Sequence, residues 1–246
     1  MTTPAPPEPT APARGFLQNL AGMYGSPRAE FGHILRRAAF WWPMLATVII
    51  NLTFTVIWVQ KVDVRAFMRA QIEASPRADR IPPDRMETIV ETQSRMFRPI
   101  AFTSAVLGAP IVTFILGGLF LFVYRFLYAG EVTYRQSLSV VAWSFLAVGV
   151  VTVPLSLLTF ALKGDWNVNP QEVLATNVGA LVDKAAVARP LHALLSSLDL
   201  VTFWILFLLA AGYGVATRRA TSTALWGVGG CWALWVLGKV AWNLLM

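Results

Sequence analysis

The sequence predicts an all-α, polytopic membrane protein: a five-helix transmembrane bundle with short amphipathic helices at its interfaces. Three observations lead there. Of 246 residues, 56% are hydrophobic and only 13% are charged, about half the charged fraction of a soluble domain. The apolar residues gather into five runs, each of roughly the 20 residues that a helix needs to cross about 30 Å of hydrocarbon. The basic residues behind the net charge of +7 mostly flank those runs, as at Arg36, Arg37, Lys61, Arg98, Arg125, Arg135, Lys163, Arg218 and Arg219. That is a pattern of membrane anchoring and orientation, not of a nucleic-acid surface. The ten tryptophans suit the same class, because indole rings favour the bilayer interface.

The elements follow in order. Residues 1–13, MTTPAPPEPTAPA, cannot bury a core and read as a disordered or polyproline-like tail; the tail is drawn to residue 26, with the membrane domain over 27–246. No apolar leader segment follows the first methionine, so no signal peptide is expected. Over 27–38, Pro27 suits a first helical turn, and Phe31, Ile34 and Leu35 recur at helical spacing. This predicts a short amphipathic helix on the membrane, with Phe31 and Ile34 offered to lipid or a partner. The spans are expected at about 39–60, 99–124, 137–160, 199–216 and 222–244, with Pro110 and Pro154 as kink sites. Between the first two spans, 62–74 and 82–97 read as separate amphipathic helices; Met86, Ile89 and Val90 lie on the apolar stripe of the second. Their apolar faces cover the outer end of the bundle or dock a partner.

Two connections are long, 61–98 and 161–198, and two are short, 125–136 and 217–221. The tail and the short connections share one face. The long-loop face carries more Lys and Arg, but interspersed with acids. The paired Arg218 and Arg219 in the tightest turn predict that the tail side is cytoplasmic and the C-terminus opposite.

Two charges lie inside apolar runs, Asp199 and Lys239. The fourth and fifth spans must pack antiparallel across the 217–221 turn. Asp199 is nineteen residues before Arg218 and Lys239 twenty after Arg219, so both sit roughly 28–30 Å from that turn, at one depth. Either they form a structural ion pair, or Lys239 reaches to the interface and Asp199 caps the fourth helix. Asn51 is the candidate interhelical hydrogen-bonding group. Ala210, Gly214, Gly227 and Gly230 are small residues that permit close approach of the last two spans.

Catalytic and cofactor signatures are missing: there is no nucleophile elbow, zinc-protease motif, phosphate loop or dinucleotide fingerprint. One cysteine, Cys231, and two distant histidines, His33 and His192, make neither an internal disulfide nor a metal site. The expectation is no enzyme, no cofactor and no metal.

Three stretches together carry a family resemblance. SPRAEFGHILRRAAFWWP (26–43) combines a Ser-Pro-Arg-x-x-Phe pre-helix with an early Trp-Pro. GEVTYRQSLSVVAWSFLAVGV (130–150) combines a short basic turn with Ala142-Trp143-Ser144. LLSSLDLVTFWILFLLAAGYGVATRR (194–219) carries Leu-Asp-Leu-x-x-x-Trp and a glycine-containing exit. In their order and spacing these resemble bacterial members of the Yip-one domain family, named for Ypt/Rab-interacting membrane proteins. The resemblance spans about 26–246 and lacks the longer Asp-Leu-Tyr-Gly-Pro type of signature of eukaryotic members. It implies a five-span bundle with a cytosolic N-terminus in a bacterial cytoplasmic membrane, and no defined activity. The functional expectation is association, as a scaffold or membrane-organising component with a membrane-protein partner or a second copy of itself. The alternative is a small-solute permease or an accessory subunit of an export system, with a polar cavity lined by Asn51, Thr103 and Ser144.

Overall fold

The computed structural model describes residues 15–75, 81–182 and 187–245, apart from the side chain of Pro83. The Pro/Ala-rich stretch 1–13 lies outside them. Among the described residues the chain is all-helical, with one isolated bridge, Asn177 to Asp199. The helices are α1 (Phe16–Gly25), α2 (Pro27–Arg37), α3 (Trp41–Lys61), α4 (Val64–Glu73), α5 (Pro83–Phe122), α6 (Tyr134–Lys163), α7 (Arg189–Leu195), α8 (Leu200–Ala216) and α9 (Thr221–Leu245). Four of them, α3, α5, α6 and α9, are long and apolar enough to cross a bilayer; α8 is an apolar helix of 17 residues.

α3, α5 and α6 pack on one another, α8 pairs with α9, and α6 joins the two groups by packing on α8. The bundle therefore has one end that carries the short α5–α6 and α8–α9 turns, and an opposite end that carries the long loops.

The segment before the first span departs from the sequence reading. Residues 16–25, drawn there as part of the tail, form α1. It sets Phe16 against Trp143 and Tyr24 against Trp204. The Tyr24 hydroxyl donates to Ala147 O at 2.7 Å. Ala147 is thirteen residues into α6, so α1 reaches about 20 Å down the bundle from its short-turn end. α2 folds back over α8 and α6. Its apolar stripe is no surface: Phe31 is 0% and Ile34 3% exposed, within the main core beside Val140, Leu208 and Tyr213. The sequence assignment of these two residues to lipid or partner contact is corrected. An amphipathic face finds the neighbouring helices at least as good an apolar partner as the membrane.

The second departure is α5. The expected extramembrane helix 82–97 and the span from 99 are one 40-residue helix running through Pro99 and Pro110. A proline inside a helix removes one backbone hydrogen bond and crowds the preceding turn, a cost of about 3 kcal/mol. Packing of the stretch that leads into Pro99 offsets it. Phe97 meets Phe67 of α4 at 5.8 Å and Trp58 of α3 at 5.4 Å, and Arg69 forms an ion pair with Glu87. Trp58 is held in turn, its Nε1 donating to Trp166 O at 3.1 Å while Trp166 stacks on Phe160. This aromatic knot closes the long-loop end.

Helix ends follow local chemistry. Asp63 caps α4 by accepting from Arg65 N and Ala66 N, and Thr133 and Gln136 form a capping box at the start of α6. α6 stops at Gly164, whose φ of +68° suits a residue without Cβ.

Candidate functional site

The two groups of polar residues that deserve a functional reading lie at opposite ends of the bundle. At the long-loop end, Asp199 is the N-cap of α8. Its Oδ2 accepts from Thr202 N and from Thr202 Oγ1, each at 3.0 Å. The loop after α6 returns here: Val178 N donates to Leu198 O and Leu200 N to Thr176 O, which fixes the backbone on both sides of Asp199. Lys239 of α9 donates to Ser197 Oγ at 3.2 Å. The two charges do sit at one depth, yet the described residues contain no direct Asp199–Lys239 ion pair. The N-terminal amides and hydroxyl of α8 draw the carboxylate toward the helix axis, and the ammonium takes a hydroxyl two residues away. A cavity of about 480 Å³ adjoins them, lined by Lys163, Glu172, His192, Ser196 and Lys239 among others.

The remaining sequence candidates are not gathered into a site. Asn51 is half-buried on α3 and, among the described residues, makes no hydrogen bond to another helix. The threonines near it, Thr47 and Thr53, bond the carbonyls of their own helix four residues back. Thr103 is exposed on the outside of α5, and Ser144 is fully buried in α6. Met86 and Ile89 are half-buried on the outer part of α5, whereas Val90 is 1% exposed on the same stretch.

The short-turn end holds what the sequence did not single out. A cavity of about 860 Å³ opens among α2, the 129–131 turn, the start of α6 and the 217–219 turn. Arg36, Arg218 and Arg219 line it, against one acid, Glu131. Among the described residues none of these three guanidinium groups is in an ion pair. Arg219 Nη2 donates to Tyr128 O at 2.9 Å, and its guanidinium carbon lies 5.8 Å from the centre of the Tyr128 ring. Arg28 of α2 ties down the same turn, donating to Arg219 O at 2.8 Å and to Thr221 Oγ1 at 3.1 Å. Arg218 itself holds a left-handed φ of 55°, a conformation that favours glycine. The sequence showed Arg218-Arg219 in a tight turn; it did not show that α2 folds back and brings Arg36 to them.

Directly beneath the cavity lies a buried polar cluster. Ser137 Oγ donates to Gly117 O at 2.6 Å and meets Tyr213 Oη at 2.6 Å. The Tyr213 ring stacks on Tyr124 with centroids 4.3 Å apart, and Tyr124 Oη donates to Ala224 O. A Cβ on Gly227 would come within 2.9 Å of that hydroxyl. Of the small residues expected between the last two spans, Gly227 thus makes room for Tyr124. Gly214 makes room for Arg28, while Gly230 faces open space.

Comparison with known families decides what architecture this is. The Yip1 domain model matches residues 21–242, nearly the whole chain. The chain belongs to the Yip1 domain family. No curated protein and no solved structure matches it. As a Yip1 domain with four long apolar helices it is an integral membrane protein. The matched region begins within α1 and takes in α2, the Arg36–Arg218–Arg219 cavity and the Asp199 cap, so both ends of the bundle are part of the Yip1 domain itself.

Proposed function

We propose that this Yip1-domain protein is a non-enzymatic scaffold or membrane-organising component of a bacterial cytoplasmic membrane, acting by association with a membrane protein or a second copy of itself. In this reading it spans the bilayer five times, with α8 as the fourth span, its N-terminus cytoplasmic and its C-terminus opposite. The observation that carries the reading is the outer half of α5. Forty residues make a helix of about 60 Å, twice the hydrocarbon thickness. The stretch braced by α4 therefore stands clear of the lipid and offers Met86 and Ile89 half-exposed. The family match supports association in a membrane, and the two arginines of the α8–α9 turn support the orientation.

The permease alternative draws no support from the same positions. It needs Asn51, Thr103 and Ser144 around one polar cavity, but they are half-buried, outward-facing and sealed in packing, respectively.

The test is site-specific photo-crosslinking in the native membrane, with the probe at Met86 and a control at Trp226, which is 80% exposed on α9. A discrete protein adduct at Met86, lost in Ile89→Glu, supports the reading. Lipid adducts at both positions and no protein adduct at Met86 refute it.

A further inference from the structure

The arginine-lined cavity does not end at its own walls. A second, shallower hollow of about 560 Å³ lies beside it, lined by Pro27, Arg28, Phe207 and Ala211 among others. Gly32 and Val215 line both hollows. A Cβ at Gly32 would meet nothing within 4 Å, so the saddle between them is open.

The second hollow is built along a helix. Phe207, Ala211 and Val215 are four residues apart, on one face of α8. From Val215 at the short-turn end, Phe207 lies about 12 Å toward the middle of the bundle. Phe207 is 49% exposed, so the groove opens on the outer, apolar side of the protein. One end of the combined site is thus cationic and set at the level of the turns. The other is apolar, open to hydrocarbon and directed inward along the bundle.

Those two halves fit one class of molecule. Guanidinium groups match phosphate oxygens in planar, forked geometry. Three of them against one carboxylate leave the pocket with positive charge to be met. The anchoring of Arg219 on Tyr128, and of the turn backbone by Arg28, holds the pocket in place before any ligand arrives. We propose that the two hollows form a single binding site for an anionic phospholipid, its phosphate among Arg36, Arg218 and Arg219 and one acyl chain along Phe207, Ala211 and Val215. This goes beyond the association reading and does not depend on it.

The experiment uses the full chain in mild detergent. Native mass spectrometry follows retention of phosphatidylglycerol and of phosphatidylcholine with the same acyl chains, with glycerol 3-phosphate as a soluble headgroup competitor. Two variants probe the two halves. Arg36→Gln/Arg218→Gln removes two charges whose side chains bond no other described residue. Gly32→Leu leaves every charge in place and fills the saddle. Thermal unfolding checks that each variant is folded. The expected result is at least a tenfold preference for phosphatidylglycerol in the native chain. The double arginine variant should lose about tenfold or more of it, the scale of one charge-assisted hydrogen bond. Gly32→Leu should weaken lipid binding without affecting glycerol 3-phosphate. Equal retention of the two lipids, or an unchanged preference in the arginine variant, overturns the site. Competition by glycerol 3-phosphate at parity with the lipid, together with a silent Gly32→Leu, also overturns it: the pocket would then serve a soluble phosphate.

Discussion

The Ser137–Tyr213 pair permits a prediction whose sign can be worked out proton by proton. Ser137 has one hydroxyl proton, and Gly117 O, 2.6 Å away, can only accept. That proton is committed, so the 2.6 Å contact with Tyr213 must be the tyrosine donating to Ser137 Oγ. Tyr213→Phe keeps the ring stacked on Tyr124 and removes one hydrogen bond without stranding a donor, at about 1 kcal/mol, or nearer 0.6 by the average found within membranes. Ser137→Ala is the more damaging change. It leaves the Tyr213 hydroxyl, on a residue that is 0% exposed, with only the Ser137 carbonyl at 3.4 Å as an acceptor. A buried, unsatisfied donor adds its desolvation penalty, for a total of about 2 kcal/mol. The double variant strands nothing and should return to about 1 kcal/mol. The cycle therefore predicts a coupling of about 2 kcal/mol, with the double variant more stable than Ser137→Ala alone. Reversible denaturation in mild detergent measures all four proteins. Additivity of the two single changes within about 0.5 kcal/mol would refute the proton assignment.

Three further outcomes are expected. Phe31→Ala should cost about 3–5 kcal/mol because the ring is wholly enclosed, and Phe31→Asp should abolish folding; a folded Phe31→Asp protein by detergent gel filtration would contradict the core placement. Gly212→Ala puts a Cβ 2.5 Å from Val140 Cγ1 and should lower stability by about 1–3 kcal/mol. Gly230→Ala meets nothing and should raise it by up to about 1 kcal/mol, so equal melting temperatures for the two would count against the packing. Asp199→Ala should lose about 1 kcal/mol of helix capping, Asp199→Asn much less, and Lys239→Met should add independently to either. A strongly non-additive Asp199/Lys239 double variant would instead point to an ion pair.

What the sequence made legible was what repeats along it. Helices announce themselves through length and hydropathy, and the five apolar runs each became a helix. The short α8–α9 turn was written in Thr217 to Ala220. What stayed hidden depends on residues distant in sequence. The stripe of Phe31 and Ile34 looks the same whether it meets lipid or α8, because both are apolar, and only the fold-back of α2 distinguishes them. Pro99 reads locally as a boundary, since its missing amide argues against a continuous helix. The Trp58–Phe67–Phe97 knot that keeps the helix continuous joins residues up to 39 positions apart. The arginine cavity was present in the sequence as charges but not as a place: Arg36 and Arg218 meet only because two chain segments cross.

The continuity of α5 has a mechanical consequence. A helix of about 60 Å that tilts as one body by about 10° about its inner end carries its outer end sideways by about 10 Å. Its inner end abuts the π-helical turn Val123–Leu127, next to the stacked tyrosines and the arginine cavity. Its outer end carries Glu87, locked to Arg69. Any tilt of α5 would therefore have to carry α4 with it, through the Arg69–Glu87 pair and the Phe67–Phe97 contact, by about the width of a helix.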